Sequence, residues 1–233
     1  LWAFGCFAPA RVGVAVTTRD GGVSTGRFCS LNLGLHVGDD DDAVLTNRGL
    51  VAAALGIDLE SAVFAEQVAG TQVTRVGAAD RGRGARSQAT AIPATDALVT
   101  TDPSVTLAVM AADCMMIVLH DAAAAVLAVV HAGWPGTTAG IVGRAVAAMA
   151  DCGADPGRIV AGIGPTVSAK TYQVGDDVAE AARAALGDRA DNVLRPDGTG
   201  RYLFDLVGAA RLQLTGAGVA PGNEIGRASC RER

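Results

Sequence analysis

Aromatic residues are scarce in this sequence, at 4% of its 233 residues, and long uncharged apolar stretches are missing. The most apolar region, residues 107–134, is interrupted by Asp113 and Asp121. A membrane-spanning helix needs about 20 consecutive apolar residues, so we expect no membrane association. The glycine-rich patterns of dinucleotide and nucleoside-triphosphate sites are also missing, which leaves those cofactors without support.

Cysteine is present but shows no pairing pattern. The five cysteines are odd in number and irregularly spaced, and none forms a Cys-x-x-Cys pair. This usage argues against a disulfide scaffold, and the first residues lack the basic segment of a secretory signal, so we expect a cytoplasmic protein. The formal net charge of −5 comes with no basic patch, so we expect no nucleic-acid partner.

Half of the residues are hydrophobic, and they fall into short β-rich runs and helical patterns with no linker between them. Such a mixture predicts a single α/β domain, built as a layered sandwich around a mixed β-sheet. The predicted strands span residues 12–17, 63–68, 71–76, 97–100, 105–110, 115–119, 125–130 and 159–163. The predicted helices span residues 41–55, 137–151, 176–186 and 206–215, with aspartate near several starts and glycine after the ends.

The last ten residues, 224–233, correspond to a common sequencing-adapter sequence read as protein. We therefore expect the domain to occupy residues 1–223, with its natural C-terminal part lost. Ile225 is the one strong hydrophobe in the final ten residues. That is too little apolar surface to offset the entropy of ordering the tail, so we expect it to be poorly ordered.

Cys114 and His131 carry the most informative chemistry. Each follows an apolar run, so both side chains are expected at the ends of neighbouring strands. A thiolate and a neutral imidazole are either two metal ligands or a nucleophile and its base. The alternatives are a buried, inert cysteine and a core histidine with satisfied hydrogen bonds. If the two form a site, their sulfur and nitrogen atoms converge to roughly 3–4 Å.

Long motifs around these residues resemble the YfiH-type laccase-domain family, over about residues 12–219. The matching segments are Ala112-Asp113-Cys114, His131-Ala132-Gly133-Trp134, and residues 18–24, 30–34 and 36–39. The resemblance implies an α/β layered sandwich, a fold shared with cysteine-hydrolase toxins. Members of this family are described as polyphenol oxidases and as zinc-dependent purine nucleoside phosphorylases with adenosine deaminase activity.

The resemblance implies that Cys114 and His131 are catalytic zinc ligands. The third family ligand is the histidine of a Gln-Val-His-Gly motif. This sequence has Gln67-Val68-Ala69-Gly70 there, so Ala69 occupies the position and offers no ligand. The implied function is zinc-dependent phosphorolysis of adenosine or inosine, with adenosine deamination, weakened by Ala69. The implied partners are a purine nucleoside and phosphate.

Three further residues are expected near the substrate. Arg19 precedes a glycine pair and matches a family motif that favours phosphate or substrate contact. Asn32 either orients its loop through Asx-type hydrogen bonds or faces the pocket. Asp96 matches an acidic family position and is expected to support a metal ligand from behind. The segment Tyr172-Gln173-Val174-Gly175 also resembles a family motif, and turn formation would explain its glycine.

Three other functions stay open at this stage. The family name suggests a copper-dependent, laccase-like polyphenol oxidase, although the sequence lacks the His-x-His pairs of a multicopper array. Cys114 and His131 are also compatible with a metal-free hydrolase. A degenerate, non-catalytic paralogue that binds a ligand or partner is the third. The metal content of the protein would distinguish these functions. Zinc would indicate the phosphorylase, copper the oxidase, and no metal the hydrolase or the non-catalytic paralogue.

Overall fold

A mixed six-stranded β-sheet forms the centre of this computed structural model, which describes residues 2–3, 7 and 12–227. The strands are β1 (Trp2–Ala3), β2 (Ala15–Val16), β3 (Ala62–Val63), β4 (Val73–Arg75), β5 (Ala97–Thr100), β6 (Thr106–Leu107), β7 (Met115–Asp121), β8 (Val126–Ala132), β9 (Val160–Ile163), β10 (Gln173–Val174), β11 (Leu194–Pro196), β12 (Tyr202–Phe204) and β13 (Glu224–Arg227). The helices are α1 (Asp41–Leu55), α2 (Trp134–Thr138), α3 (Ile141–Asp151), α4 (Asp176–Leu186) and α5 (Leu206–Gly216).

The strand order in the central sheet is β13-β9-β7-β8-β5-β4. The two longest strands, β7 and β8, pair antiparallel along seven residues each, and β7 also pairs antiparallel with β9. The outer pairs β4·β5 and β9·β13 are parallel. The smaller sheets are β1-β2, β3-β6 and β10-β12-β11. The β7–β8 hairpin therefore lies at the centre of the sheet, with β9 paired to β7 on one side and β5 paired to β8 on the other.

Both faces of the central sheet are covered, which explains why its strands are apolar at almost every position. On one face, alternate residues such as Ile117 and Val130 pack against helices α3, α4 and α5 in the larger core. On the other, Leu98, Val118 and Val129 form a smaller core. The architecture is thus the single-domain layered α/β sandwich with a mixed sheet that the sequence predicts.

Helix boundaries follow local capping chemistry. The Asp40 carboxylate accepts a hydrogen bond from the Ala43 amide at the start of α1, and Gly56 ends that helix in the left-handed conformation. Asp205 caps α5 through the Gly208 amide. The predicted helix 137–151 is wrong as one unit, because Gly140, with φ of 87°, separates α2 from α3. Among the described helices, none is both long and apolar enough to cross a bilayer.

Two predicted strands are much shorter in the structure than the sequence suggests. Residues 63–68 and 105–110 pair as strands only over β3 and β6. Beyond these strands, hydrogen bonds from a glutamine side chain take the place of backbone hydrogen bonds between the two segments. The Gln67 amide donates to the Met110 carbonyl (2.6 Å) and accepts from the Met110 amide (2.9 Å). Predicted strands 12–17 and 71–76 are likewise reduced to β2 and β4.

The expected lack of order after residue 223 is wrong for the first part of that segment. Strand β13 pairs parallel with β9, in a register that puts Glu224 opposite Ala161 and Ile225 opposite Gly162. Residues 224–227 thus gain backbone hydrogen-bond partners at the edge of the central sheet. Residues 228–233 lie outside the described residues.

Candidate functional site

The register of the central hairpin puts Cys114 and His131 on the same face of the sheet. Met116 of β7 lies opposite His131 of β8, and cross-strand partners point to one face. Cys114 precedes Met116 by two residues, so its side chain emerges on that face, opposite Gly133. A β-carbon added to Gly133 would lie 2.9 Å from Cys114 Sγ. The thiol therefore lies against the backbone two residues beyond His131.

Asp96 holds the imidazole of His131. His131 Nδ1 lies 2.8 Å from Asp96 Oδ1, and the His131 amide donates to the Asp96 carbonyl at 2.7 Å. The carboxylate side chain of Asp96 is fully buried, and that of His131 is 11% exposed. Both carboxylate oxygens accept backbone N–H groups as well, so Nδ1 is the donor in this pair. Nε2 is then the nitrogen left to bind a ligand or exchange a proton.

The same carboxylate organises the loop that contains Ala69. Asp96 accepts hydrogen bonds from the amides of Val68 (3.3 Å), Ala69 (2.9 Å) and Gly70 (2.7 Å). The loop is anchored at its start by the paired hydrogen bonds of Gln67 to Met110. One buried group therefore connects His131 to the position where the family resemblance implies a third ligand.

Ala69 itself adopts a left-handed backbone conformation, with φ of 58°. Among residues other than glycine, histidine, asparagine and aspartate are several-fold enriched in this region, whereas alanine is not. The backbone at position 69 thus suits a histidine better than the alanine that occupies it. The loop also packs closely against α2, since a β-carbon at Gly136 would lie 2.8 Å from the Gly70 carbonyl oxygen.

Cys114 is a half-buried, free thiol. Burial raises its pKa, and the carboxylates of Asp113 and Asp96 raise it further. At neutral pH the group is therefore a thiol, which is a poor nucleophile until a base or a metal removes its proton. The chain before Cys114 is tied to the segment after β9, because the Asp113 carbonyl accepts from Thr166 Oγ1 (2.7 Å) and the Val167 amide (3.0 Å).

Arg19 and Asn32 lie in a separate N-terminal loop. Arg19 is exposed, and its Nε and Nη2 donate to the Cys29 carbonyl at 3.0 and 2.7 Å. Asn32 accepts from the Gly34 amide (3.1 Å) and donates to Asp39 Oδ2 (2.9 Å), which is the Asx-type arrangement. Within the part of the chain that the structure describes, no hydrogen bond joins either residue to Cys114, His131 or Asp96.

Two interior polar residues of α1 hold this N-terminal loop, and the second of them also binds the loop at residues 84–85. Asn47 accepts from the Val23 amide and donates to Ser24 Oγ. Arg48 is 2% exposed and donates to the carbonyls of three loop residues, Leu33, Gly84 and Ala85. Burial lowers the pKa of the Arg48 guanidinium to about 10. The one sequence signal for the structural roles of Asn47 and Arg48 is that each is a polar residue on the buried side of α1.

The metal ligands implied by the resemblance are incomplete. Cys114 Sγ and His131 Nε2 are donors that zinc accepts, but catalytic zinc sites normally have three protein ligands. Ala69 supplies none, and no cluster of three His, Cys, Asp or Glu suited to a metal occurs among residues 12–227. The donor set therefore does not fit a complete zinc or copper site.

The family model for "Multi-copper polyphenol oxidoreductase laccase" matches residues 13–231. The protein named "Purine nucleoside phosphorylase YlmD" from Geobacillus stearothermophilus is 41% identical over 217 residues, which cover 92% of this chain and 79% of that protein. "Purine nucleoside phosphorylase" from Deinococcus radiodurans is 43% identical over 206 residues, covering 88% and 75%.

Solved structures agree with the sequence matches. The crystal structure of the Bacillus licheniformis hypothetical protein YfiH superposes with a TM-score of 0.89 at 35% identity, covering 91% of this chain and 80% of that one. The structure of YlmD from Geobacillus stearothermophilus gives 0.87 at 40% identity, covering 89% and 77%. The chain therefore belongs to the multi-copper polyphenol oxidoreductase laccase family and has the α/β fold of YfiH and YlmD.

Proposed function

We propose that this protein is a purine nucleoside phosphorylase-like enzyme that acts on adenosine or inosine with phosphate. Relatives named purine nucleoside phosphorylase, about 40% identical over most of the chain, support this reaction class. The observation that carries the proposal is the Asp96 carboxylate, which holds His131 and the loop of residues 68–70 together on the face that bears Cys114.

Phosphorolysis breaks the bond between C1′ of the ribose and N9 of the purine, and a phosphate oxygen takes the place of N9. The departing purine gains a proton. Because Asp96 fixes Nδ1 of His131 as a donor, Nε2 is available either to exchange this proton or to bind a metal, and it cannot do both at once. Arg19 is assigned a supporting role in phosphate binding. Its guanidinium has further N–H groups that do not bond to the Cys29 carbonyl and can bind an anion.

We expect the activity to be low. Zinc-dependent phosphorolysis and adenosine deamination each need a metal held by more than two protein ligands, and among the described residues only Cys114 and His131 are available at this site. Asp96 still holds the loop in which the resemblance implies a third ligand, but Ala69 offers no ligand there. The proposal also requires a reducing compartment such as the cytoplasm, since Cys114 must remain a thiol.

A ligand-binding paralogue without turnover is the second candidate, and Ala69 is the observation that favours it. A metal-free hydrolase would need His131 to remove the proton of Cys114, because burial and the nearby carboxylates raise the pKa of that thiol. A copper-dependent phenol oxidase is disfavoured by the two-ligand donor set.

The test measures purine release and ammonia release from adenosine and inosine, with and without phosphate, zinc and chelator. Wild-type protein is expected to release base slowly, in a phosphate-dependent way. Cys114→Ala and His131→Ala are each expected to abolish turnover, whereas Cys152→Ala, a change at another half-buried free cysteine, leaves it unchanged. Activity that survives both chelator and Cys114→Ala would contradict the proposal. Binding of nucleoside without any turnover would favour the paralogue.

A further inference from the structure

We propose that Gln213 of α5 is a positioning residue for the candidate site, because its side-chain amide holds α2 in place against Cys114. Gln213 acts only through α2, which connects it to the thiol. This inference rests on the proposed function, since it concerns the same site, but its first test requires no turnover.

Helix α2 forms a wall of the candidate site. Its N-cap residue is Gly133, where an added β-carbon would lie 2.9 Å from Cys114 Sγ. Within the helix, a β-carbon added to Gly136 would lie 2.8 Å from the carbonyl oxygen of Gly70, in the loop that Asp96 holds. The thiol and this loop therefore both pack on the backbone of α2, and their relative placement depends on where that helix lies.

The sequence of α2 does little to fix the helix by itself. The helix has five residues, and its N-cap residue Gly133 has no side chain to cap the first turn. Gly140, with φ of 87°, then separates it from α3. Isolated helices shorter than about 12–15 residues are marginal in water. The position of α2 must therefore come from contacts with neighbouring elements.

The side-chain amide of Gln213 supplies such a contact. Gln213 Nε2 donates a hydrogen bond to the carbonyl of Thr137, near the end of α2. The Thr137 amide in turn donates to the Gly133 carbonyl at 2.9 Å. Two hydrogen bonds thus connect Gln213 to the residue that packs against the thiol. Gln213 is itself well placed to hold α2, because Ala210 and Leu214 on the same helix are fully buried.

Packing alone does not explain a glutamine at this position. Gln213 Oε1 and Thr137 Oγ1 are buried and have no hydrogen-bond partner among the described residues. A buried polar atom without a partner costs free energy, which an apolar side chain of the same length would avoid. The Thr137 carbonyl does not depend on the glutamine either, because the Gly140 amide also donates to it, at 3.1 Å. The contact therefore serves the placement of α2 more than the stability of the fold.

The first experiment measures how fast iodoacetamide alkylates Cys114, with peptide mass spectrometry following Cys114 and Cys152 in the same sample. In Gln213→Met the side chain keeps its length but loses its donor, so α2 is held less firmly. Alkylation of Cys114 is expected to become about 2- to 10-fold faster, the equivalent of one hydrogen bond. Cys152, a half-buried free cysteine at the end of α3, is expected to react as in wild type.

Two variants serve as controls for this experiment. Gln72→Met makes the same substitution at an exposed glutamine whose amide also donates to a backbone carbonyl, that of Val73. Thr137→Val removes the unpaired hydroxyl but keeps the carbonyl that Gln213 binds, so it is expected to raise the melting temperature. Both controls should leave alkylation of Cys114 unchanged.

Two outcomes of the alkylation experiment would overturn the inference. One is equal alkylation of Cys114 in wild type and Gln213→Met. The other is a matching acceleration at Cys152, which would indicate a general loss of structure instead of a displaced α2.

The second experiment connects the placement of α2 to the proposed function. Because Gln213 acts through α2, kcat for phosphate-dependent purine release from inosine should fall in Gln213→Met while KM stays near its wild-type value. An unchanged kcat would overturn the role of Gln213 in the reaction. If wild-type protein releases no purine, the proposed function fails, whereas the alkylation rates still decide whether Gln213 positions α2.

Discussion

Asp96 and His131 form a buried hydrogen-bonded pair, 2.8 Å from carboxylate oxygen to Nδ1, and the pair is completed by the loop of residues 68–70. Such a carboxylate fixes which imidazole nitrogen carries the proton, as it does behind metal-binding histidines. Here the arrangement is present although Ala69 stands where the family resemblance implies a third ligand. The hydrogen-bonded framework around His131 therefore does not depend on that ligand.

Asp96→Asn is expected to destabilise the protein by about 1–3 kcal/mol, the cost of buried groups without partners. The amide nitrogen of asparagine cannot accept the N–H groups that now bind both carboxylate oxygens, so at least one donor loses its partner. Urea unfolding measures the effect, with Asp20→Asn, at an exposed loop position, as the control. Equal stability of both variants would show that Asp96 does not organise the loop.

Ala69→His is expected to raise zinc affinity. Zinc binds structural sites with an apparent binding free energy of roughly 10–16 kcal/mol, and such sites normally have four ligands. One added ligand should therefore strengthen zinc binding by about tenfold or more. The left-handed backbone at position 69 tolerates histidine. Calorimetry with zinc tests this, and Val68→His, at the exposed neighbouring position, is the matched control. If the two variants bind zinc equally weakly, the missing histidine is not the limiting defect, whereas purine release gained by Ala69→His would support the low-activity proposal.

Much of the fold could be predicted because local chemistry encodes it. Asp40 and Gly56 bracket α1, and β-branched apolar runs mark the central strands. The shortened strands could not be predicted, because the pairing of Gln67 with Met110 joins residues 43 positions apart. The break at Gly140 was missed since a glycine inside a helical pattern is often tolerated. The pairing of β13 with β9 was missed because backbone hydrogen bonds leave no hydrophobic signature.

The candidate site was predictable to a similar extent. Cys114 and His131 share a face because strand residues alternate with period two, a rule that applies once the hairpin register is known. Asp96 was expected to support a ligand, and it holds His131. For Arg19 and Asn32 a substrate contact stays a prediction, because the structure describes them through bonds within their own loop.

Gly133→Ala is expected to disturb the site directly. A β-carbon there would lie 2.9 Å from Cys114 Sγ, so the thiol or the start of α2 must move. Overpacking of this kind typically costs about 1–3 kcal/mol. Gly143→Ala, inside α3 where an added β-carbon meets nothing within 4 Å, should instead stabilise the protein by about 0.5–1 kcal/mol. Thermal unfolding compares the two, and the same sign of change in both would contradict this account.

The acid limit of stability should depend on Asp121, at the end of β7. Burial by itself would raise the pKa of this carboxyl, but hydrogen bonds from Arg158, the Asp155 amide and the following turn outweigh it and hold the pKa at about 2. An unfolded aspartate titrates near pH 3.9. The folded state therefore gains stability from Asp121 above that pH and loses the gain as the pH falls from about 5 towards 2.

Asp121→Asn is accordingly expected to lower the free energy of unfolding by about 2 kcal/mol at pH 7, with a difference that shrinks as the solution is acidified. At pH 2 the wild-type carboxyl is about half protonated in the folded state and almost fully protonated in the unfolded state, so the two proteins should approach each other in stability. Urea unfolding at pH 7, 4 and 2 gives the three comparisons, with Asp188→Asn, an exposed change, as the control. A stability difference that stays constant across this range would show that the ionised Asp121 carboxylate is not what stabilises this end of the sheet.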